Sequence, residues 1–177
     1  MNIIAVKPDG TFCFRPDSTL NHQFADYYRP DAVTALEVVP VVYTRLTKAG
    51  KCVAERFARR YFDSFAFGCL INDRTDSTAD AMRFSMDQTS IMGMDFHPIE
   101  ELPACKMVFE INGEALYTCE PPVDESLFAT AIAAITSRSM LRLGDIVALE
   151  VTPPFTIEPG DTVALEANGN RHEIKIL

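Results

Sequence analysis

The sequence lacks several features that would each point to a broad class of protein. No apolar run approaches the roughly 18 residues that a membrane-crossing helix needs. The N-terminus has neither a basic stretch nor a long apolar segment, so no secretory signal peptide is expected. Lys and Arg number 16 against 25 Asp and Glu, and an acidic surface repels nucleic acid. We therefore expect a cytoplasmic protein that binds neither membranes nor nucleic acid.

The sequence also lacks closely paired cysteines, since its five cysteines are an odd number and are widely spaced. No two of them form a Cys-x-x-Cys pair, which argues against a zinc site or a thioredoxin-like redox centre. Reduced and mostly buried thiols are the expectation for a cytoplasmic protein. These cysteines are Cys13, Cys52, Cys69, Cys105 and Cys119.

What the chain does contain is enough apolar sequence for one core. It has 177 residues, of which 47% are hydrophobic and 23% are charged, as is ordinary for a globular protein. No internal repeat, linker or low-complexity segment divides it. A single domain over residues 1–177 is therefore predicted.

Two segments have the pattern of helices. Val53, Phe57 and Tyr61 recur every four residues, which predicts a helix over Cys52–Phe62. A second helix is predicted from Glu125 to about Ser139, with Asp124 as its N-terminal cap.

Most of the remaining chain has the pattern of strands, and Asn112-Gly113 between two of them is a strong hairpin signal. Pro40 indicates an edge or a bulge in its strand. Loops are predicted over Pro16–Arg29 and Asn72–Arg83. The fold class is thus α+β, with one β-rich domain. The predicted strands are Ile3–Val6, Phe12–Arg15, Leu36–Leu46, Phe65–Ile71, Lys106–Ile111, Glu114–Cys119, Ile146–Val151, Thr162–Ala167 and Glu173–Leu177.

The C-terminal part carries a recognisable punctuation of turns. Gly144-Asp145 precedes an apolar run, Thr152-Pro153 ends it, and Glu158-Pro159-Gly160-Asp161 precedes an alternating strand. This pattern resembles the C-terminal core of the fumarylacetoacetate hydrolase family. The resemblance implies a β-rich mixed-sheet roll or barrel with two main helices, and a homodimer.

Earlier segments resemble the same family in the same order. Residues Phe12–Ser18 resemble its "FLKPDS" strand, and Gly50-Lys51 with the predicted helix resembles its "GK…E…A..Y" segment. Residues Phe84–Asp87, followed by Gly93, resemble its "KxFD…G" segment. The likeness therefore covers most of the chain.

The resemblance implies a metal-dependent chemistry on 2-oxo acids or acylpyruvates. Family enzymes hold Mg²⁺ or Mn²⁺ with a Glu-x-Glu pair on one strand and an Asp on the next. A histidine in an N-terminal loop activates water, and the lysine of "KxFD" stabilises negative charge.

In this chain the corresponding positions are altered. Alignment to the family pattern without gaps places Val39 and Val41 at the two glutamates and Leu70 at the aspartate. A two-residue shift would instead bring Glu37 to the first glutamate, and a three-residue insertion would bring Asp73 to the aspartate, but neither register of the first strand supplies two acids. Phe84 takes the place of the lysine, and Arg83 is one position away from it. These substitutions predict an apolar pocket without metal affinity.

The other family positions are changed as well. The histidine loop is replaced by a short turn at Lys7–Gly10, and His22 lies elsewhere in a predicted exposed loop. Thr152 is kept, but the glycines that follow it in the family are not. Asp87 keeps the family spacing. The vestigial ligand pocket is therefore predicted to comprise Val39, Val41, Leu70, Phe84, Asp87 and Thr152.

Two functions of different class follow from this pattern. The first is a catalytically degenerate protein, or pseudoenzyme, that serves as a scaffold or binds a ligand or partner without a metal cofactor. The alternative is a hydrolase or decarboxylase that depends on Mg²⁺ or Mn²⁺ held by rearranged ligands. The candidate ligands for that alternative are Glu37, Asp73 and Asp76.

Overall fold

The computed structural model describes residues 1–119, 123–167 and 169–177, and within them it has thirteen strands and two α-helices. The helices are α1 (Glu55–Ala58) and α2 (Ser126–Thr136). Short 3-10 segments cover Asp17–Thr19, Arg59–Tyr61, Asp80–Met82 and Ile99–Ala104. The strands are β1 (Ile3–Val6), β2 (Phe12–Arg15), β3 (Leu20–Asn21), β4 (Leu36–Arg45), β5 (Ser64–Asp73), β6 (Ser90–Met92), β7 (His97–Pro98), β8 (Met107–Ile111), β9 (Glu114–Thr118), β10 (Ile146–Glu150), β11 (Phe155–Ile157), β12 (Thr162–Ala167) and β13 (Asn170–Lys175).

The larger sheet has nine strands in the order β2-β1-β10-β4-β5-β6-β3, with β11 added to β4 and β7 to β5. The pairs β1–β10 and β3–β6 are parallel, and the others are antiparallel. The sheet is therefore mixed, as the family resemblance implied.

A second sheet has four antiparallel strands in the order β13-β12-β8-β9. The predicted Asn112-Gly113 turn joins β8 to β9, with positive φ at both residues (54° and 80°). A two-residue turn of this kind matches the twist of the strands that it connects. The prediction of this hairpin is confirmed.

Pro40 lies in the middle of β4, which has neighbours on both sides. On one side its neighbour changes from β11, which pairs with Leu36–Val38, to β10, which pairs with Val41–Arg45. The chain tolerates a residue without an N–H at this point because the ladder is interrupted there. The expected edge or bulge is instead a gap between two partner strands.

Two predictions of local structure are wrong. The helix predicted over Cys52–Phe62 is confined to α1 and the 3-10 turn that follows it. The preceding backbone bonds elsewhere, since the amides of Cys52 and Val53 donate to Thr136 at distances of 2.8 and 3.0 Å. The predicted loop Pro16–Arg29 contains a 3-10 turn and β3. By contrast, Asp124 accepts a hydrogen bond from the amide of Ser126 at the start of α2, as predicted.

The two faces of the larger sheet belong to two different cores. One face packs with α2 and the second sheet in the larger core. On the other face, alternate residues form a smaller core. Its buried members are Ile3, Ala5, Val39, Val41, Tyr43, Ala66, Leu70, Met92, Ile146 and Ala148.

The smaller core lies on the concave face of the curled sheet. Arg15 on β2 has the same orientation as the core-packing Cys13, and its guanidinium bonds to residues on β5 and β6. Those strands are four and five places away in the sheet order, so the sheet must curl around this face. The curl brings together residues from both halves of the chain on the concave face.

Candidate functional site

Three of the predicted pocket residues meet at the centre of the concave face. Val39 pairs directly with Leu70 across β4 and β5, and Val41 follows Val39 on the same face. All three side chains have no exposed surface. Each fully buried aliphatic side chain contributes about 1.5–3 kcal/mol of hydrophobic stabilisation. The predicted pocket centre is therefore occupied by packed side chains.

Tyr43 and its neighbours complete this packing. The Tyr43 hydroxyl donates a hydrogen bond to the carbonyl of Gly93, and its ring meets that of Phe96 edge to face at 5.6 Å. Burial raises the pKa of Tyr43, and the negative charge of Asp95 adds to the effect. Because the Tyr43 hydroxyl has a hydrogen-bond partner, the side chain can be buried without cost to its polar group, and its ring fills space in the core of the concave face.

Arg15 closes the curl and is itself fully buried. Its Nε donates to Ser90 Oγ at 2.9 Å, and one terminal nitrogen donates to Asn72 Oδ1 at 2.6 Å. The other terminal nitrogen donates to the Ile71 carbonyl and to Thr89 Oγ1, both at 2.9 Å. Burial lowers the pKa of Arg15 to about 10, so it stays charged at neutral pH. A single guanidinium thus fastens three strands together.

An ion pair lies next to this cluster on the same face. Asn72 donates through Nδ2 to Glu37 Oε1 at 3.1 Å, and Arg74 Nε lies 3.2 Å from Glu37 Oε2. Glu37 is consequently linked to Arg15 through the Asn72 amide. Each of its two oxygens therefore has one protein partner.

The three candidate metal ligands do not converge. Asp73 pairs with Leu36 and Glu37 with Asn72, so the two acidic side chains point to opposite faces of the sheet. Asp73 accepts hydrogen bonds from the Thr75 amide and from Thr78 Oγ1, both at 2.7 Å. Burial by itself would raise the pKa of Asp73, but these hydrogen bonds hold it below its usual value. Asp76 is exposed in the loop beyond the strand.

The remaining predicted residues lie outside the buried cluster of the concave face. Phe84 is half-buried, and Lys7 Nζ lies 5.7 Å from its ring centroid. Asp87 is exposed, and Thr152 is buried with its hydroxyl bonded to the Pro153 carbonyl at 2.7 Å. Arg83 pairs with Asp80 at 3.1 Å, and His22 is exposed as predicted.

Sequence reasoning missed Arg15, Lys7 and Glu150. No local signal identifies Arg15, because its partners lie 56 to 75 residues away. Glu150 could have been found from the sequence, because it is an acidic residue at the end of the apolar run that forms β10. Burial raises the pKa of Glu150, with Glu37 and Asp9 adding to this effect and the cations Lys7 and Arg15 opposing it.

Glu150 should therefore make the stability of the protein depend on pH. Its folded-state pKa is raised, so its contribution to stability is present below about pH 4.5, the unfolded value. The contribution is lost as pH rises through the folded pKa. The free energy of unfolding of Glu150→Gln, relative to that of the wild type, should increase as the pH is raised from 4 to 8, as measured by urea unfolding. A difference that stays flat with pH, like that expected for the exposed Glu114→Gln control, would contradict this assignment.

Within residues 1–119, 123–167 and 169–177, no three His, Cys, Asp or Glu side chains are placed to hold a metal ion. In the same part of the chain, no helix has the length and apolar character needed to cross a membrane.

The architecture is that of the fumarylacetoacetate hydrolase family. No protein-family model matches the sequence. No curated protein matches it either. Solved structures do, and they cover 99% of this chain.

Three of these structures illustrate the likeness. A protein from Yersinia pestis CO92 assigned to the fumarylacetoacetate hydrolase family has a TM-score of 0.80 at 14% identity, with 92% of its chain covered. Maleylpyruvate hydrolase from Sphingobium sp. SYK-6 has a TM-score of 0.80 at 17% identity, with 70% covered. The 2-hydroxyhepta-2,4-diene-1,7-dioate isomerase from Mycobacterium marinum has a TM-score of 0.82 at 16% identity, with 74% covered. The likeness establishes the fold.

The Sphingobium enzyme has also been solved with manganese(II) and pyruvate. The residues of the present chain do not fit such an ion at the concave face. Its centre is lined by Val39, Val41 and Leu70, which offer no oxygen ligand, and a buried guanidinium stands at its edge. A hard divalent cation requires several oxygen ligands and is repelled by a neighbouring positive charge.

Proposed function

We propose that this chain is a catalytically degenerate protein of the fumarylacetoacetate hydrolase fold, a pseudoenzyme that acts as a scaffold or binds a ligand or partner. One observation carries the proposal. The concave face on which the predicted metal-ligand positions fall is filled by Val39, Val41 and Leu70, all without exposed surface.

The buried guanidinium of Arg15 supports the same proposal. Arg15 donates hydrogen bonds to Ser90, Asn72, Ile71 and Thr89, so its charge is held in place at the edge of the concave face. An enzyme that used a bound cation there would have to displace this network. The guanidinium instead links β2 to β5 and β6, and the fold is retained without a metal site.

Turnover assays test the proposal. The purified chain, with Mg²⁺ or Mn²⁺ added, should hydrolyse acylpyruvates and decarboxylate oxaloacetate no faster than the metal-containing buffer. Asp73→Asn and the wild type should give the same rates. Turnover by the wild type that Asp73→Asn abolishes would overturn the proposal and support the metal-dependent hydrolase or decarboxylase.

Two further expectations from the family resemblance remain proposals. We propose that the chain forms a homodimer, which would give twice the 19.7 kDa mass of one chain in light scattering. A monomeric mass would contradict it. We also propose a cytoplasmic location, which cell fractionation would test.

A further inference from the structure

A cavity of about 360 Å³ lies on the other side of the larger sheet from the concave face, beside α2 and the β1–β2 hairpin. Its size falls in the range of sites for small molecules. Val6 on β1 and Leu149 on β10 are paired and belong to the larger core, so the cavity opens on the face of the sheet opposite to the smaller core. Its apolar lining includes Val6, Phe12, Leu127, Ala131, Leu149 and Val151.

Lys7 and Glu150 also border this cavity, but their charged groups lie elsewhere. Glu150 pairs with Val41 and follows Ala148 on the same face of β10, so its carboxylate lies on the concave side. The Lys7 ammonium lies 5.7 Å from the Phe84 ring centroid, and it opposes the rise in the pKa of Glu150. A ligand beside α2 would therefore meet mainly apolar side chains.

A cationic side chain stands at one end of this apolar lining. Ala131, Ala134 and Arg138 are spaced by three and four residues, so they follow one another along one face of a helix. Backbone hydrogen bonds of helical spacing continue past the end of α2, which places Arg138 on the same stripe as the two alanines. One turn of helix, about 6 Å, separates it from Ala134. The stripe is thus apolar along the cavity and ends in a guanidinium.

The Arg138 guanidinium adjoins the cavity through Phe12. Its central carbon lies 5.9 Å from the centroid of the Phe12 ring, and Phe12 lines both the apolar cavity and a neighbouring pocket beside Arg138. Arg138 is exposed, and within the described part of the chain no carboxylate forms an ion pair with it. Stacking on an aromatic ring leaves the donors at the edge of a guanidinium free. The guanidinium can therefore donate hydrogen bonds to a ligand that extends out of the cavity.

Asp9 also lines the neighbouring pocket. Its Oδ1 accepts hydrogen bonds from the amide and the hydroxyl of Thr11, at 2.8 and 2.7 Å. Asp9 is exposed, so water and salt screen its charge and its effect on a bound anion is small. The charge that lies at the end of the apolar stripe is that of Arg138, and it favours a negatively charged ligand.

We propose that this cavity binds the chain of an amphipathic carboxylate of the fatty-acid type, whose carboxylate is held by Arg138. The chain lies along Ala131 and Ala134 of α2 and against Leu149 of β10. It also covers Leu127, which is 52% exposed in the free protein, and burial of this apolar surface is favourable. The planar guanidinium donates two parallel hydrogen bonds to the carboxylate.

Octanoate, octanol and octylamine are matched probes, because they share one chain length and differ in the polar group. NMR titration of the full chain at pH 7.5 should show saturable binding of octanoate at one site. Octanoate should bind at least about tenfold more tightly than octanol, the gain expected for hydrogen bonds between charged groups. Octylamine is repelled by Arg138 and should bind no more tightly than octanol.

Variants connect this binding to α2. Arg138→Gln should weaken octanoate binding at least about tenfold and leave octanol binding unchanged, because it removes the charge and the fork of donors. Arg56→Gln is the matched control and should bind as the wild type does, since Arg56 is likewise exposed and lies 4.8 Å from the ring centroid of Phe57. Ala134→Trp, at an exposed position that lines the cavity, should abolish binding of both probes. Circular dichroism establishes that each variant is folded.

Other outcomes would overturn the proposal. These are saturable binding of none of the probes, octanol binding as tight as that of octanoate, octanoate binding that Arg138→Gln leaves unchanged, or a preference for octylamine that Asp9→Asn removes. None of these results bears on turnover or on the concave face. A failure of this inference can therefore be distinguished from a failure of the proposed function.

Discussion

Val39→Glu is expected to remove a large part of the protein's stability at neutral pH and 25 °C. Val39 has no exposed surface, and its neighbours across the concave face are apolar. An ionised carboxylate placed there would lose its hydration without gaining a partner, at a cost of about 4 kcal/mol or more. Globular proteins are stable by only about 5–15 kcal/mol. Urea unfolding followed by circular dichroism measures the loss.

Leu116→Glu is the matched control for this substitution. Leu116 lies on β9 at the edge of the second sheet and is 37% exposed, so a glutamate there remains hydrated. Its free energy of unfolding should change by less than about 1 kcal/mol. Added Mn²⁺ should not restore Val39→Glu. If Val39→Glu were as stable as the control, or were stabilised by Mn²⁺, the concave face would not be a closed core.

Arg15→Met should produce the second large effect, a loss of about 3 kcal/mol or more of unfolding free energy. Methionine preserves part of the apolar stem but none of the donors. The oxygens of Asn72, Ser90 and Thr89 would each lose a hydrogen bond in a buried setting. The contacts between β2 and the strands β5 and β6 would weaken as a result. Thermal unfolding together with urea titration measures the change.

Arg45→Met provides the comparison for Arg15→Met. Arg45 is exposed at the end of β4, so its replacement should cost little. Arg15→Lys should fall between the two, because an ammonium keeps the charge but cannot reproduce the fork of donors. Equal stability of Arg15→Met and Arg45→Met would show that the buried guanidinium does not close the sheet.

The main strands could be predicted from the sequence because their signals are local. The Asn112-Gly113 turn and the alternating residues of β12 specify their own conformations. Gly144 and Gly160 have φ of 85° and 101°, which is why the Gly-Asp turns mark the ends of strands so clearly. Short strands such as β3 and β6 have too few residues to show a period, and they were missed.

The candidate site was only partly accessible from sequence. The family pattern located Val39, Val41 and Leu70, which the structure brings together on one face. It could not locate Arg15, because the contacts of that residue depend on how far the sheet curls. Curvature and packing between distant elements leave no periodic trace in the sequence.

Titration of the chain with Mn²⁺, followed by electron paramagnetic resonance of the free ion, tests the central claim most directly. A concave face filled by valine and leucine and bordered by Arg15 should bind no Mn²⁺ at sub-millimolar concentrations. One bound ion per chain at micromolar Mn²⁺, lost on Asp73→Asn or Glu37→Gln, would show a working metal site and contradict the account.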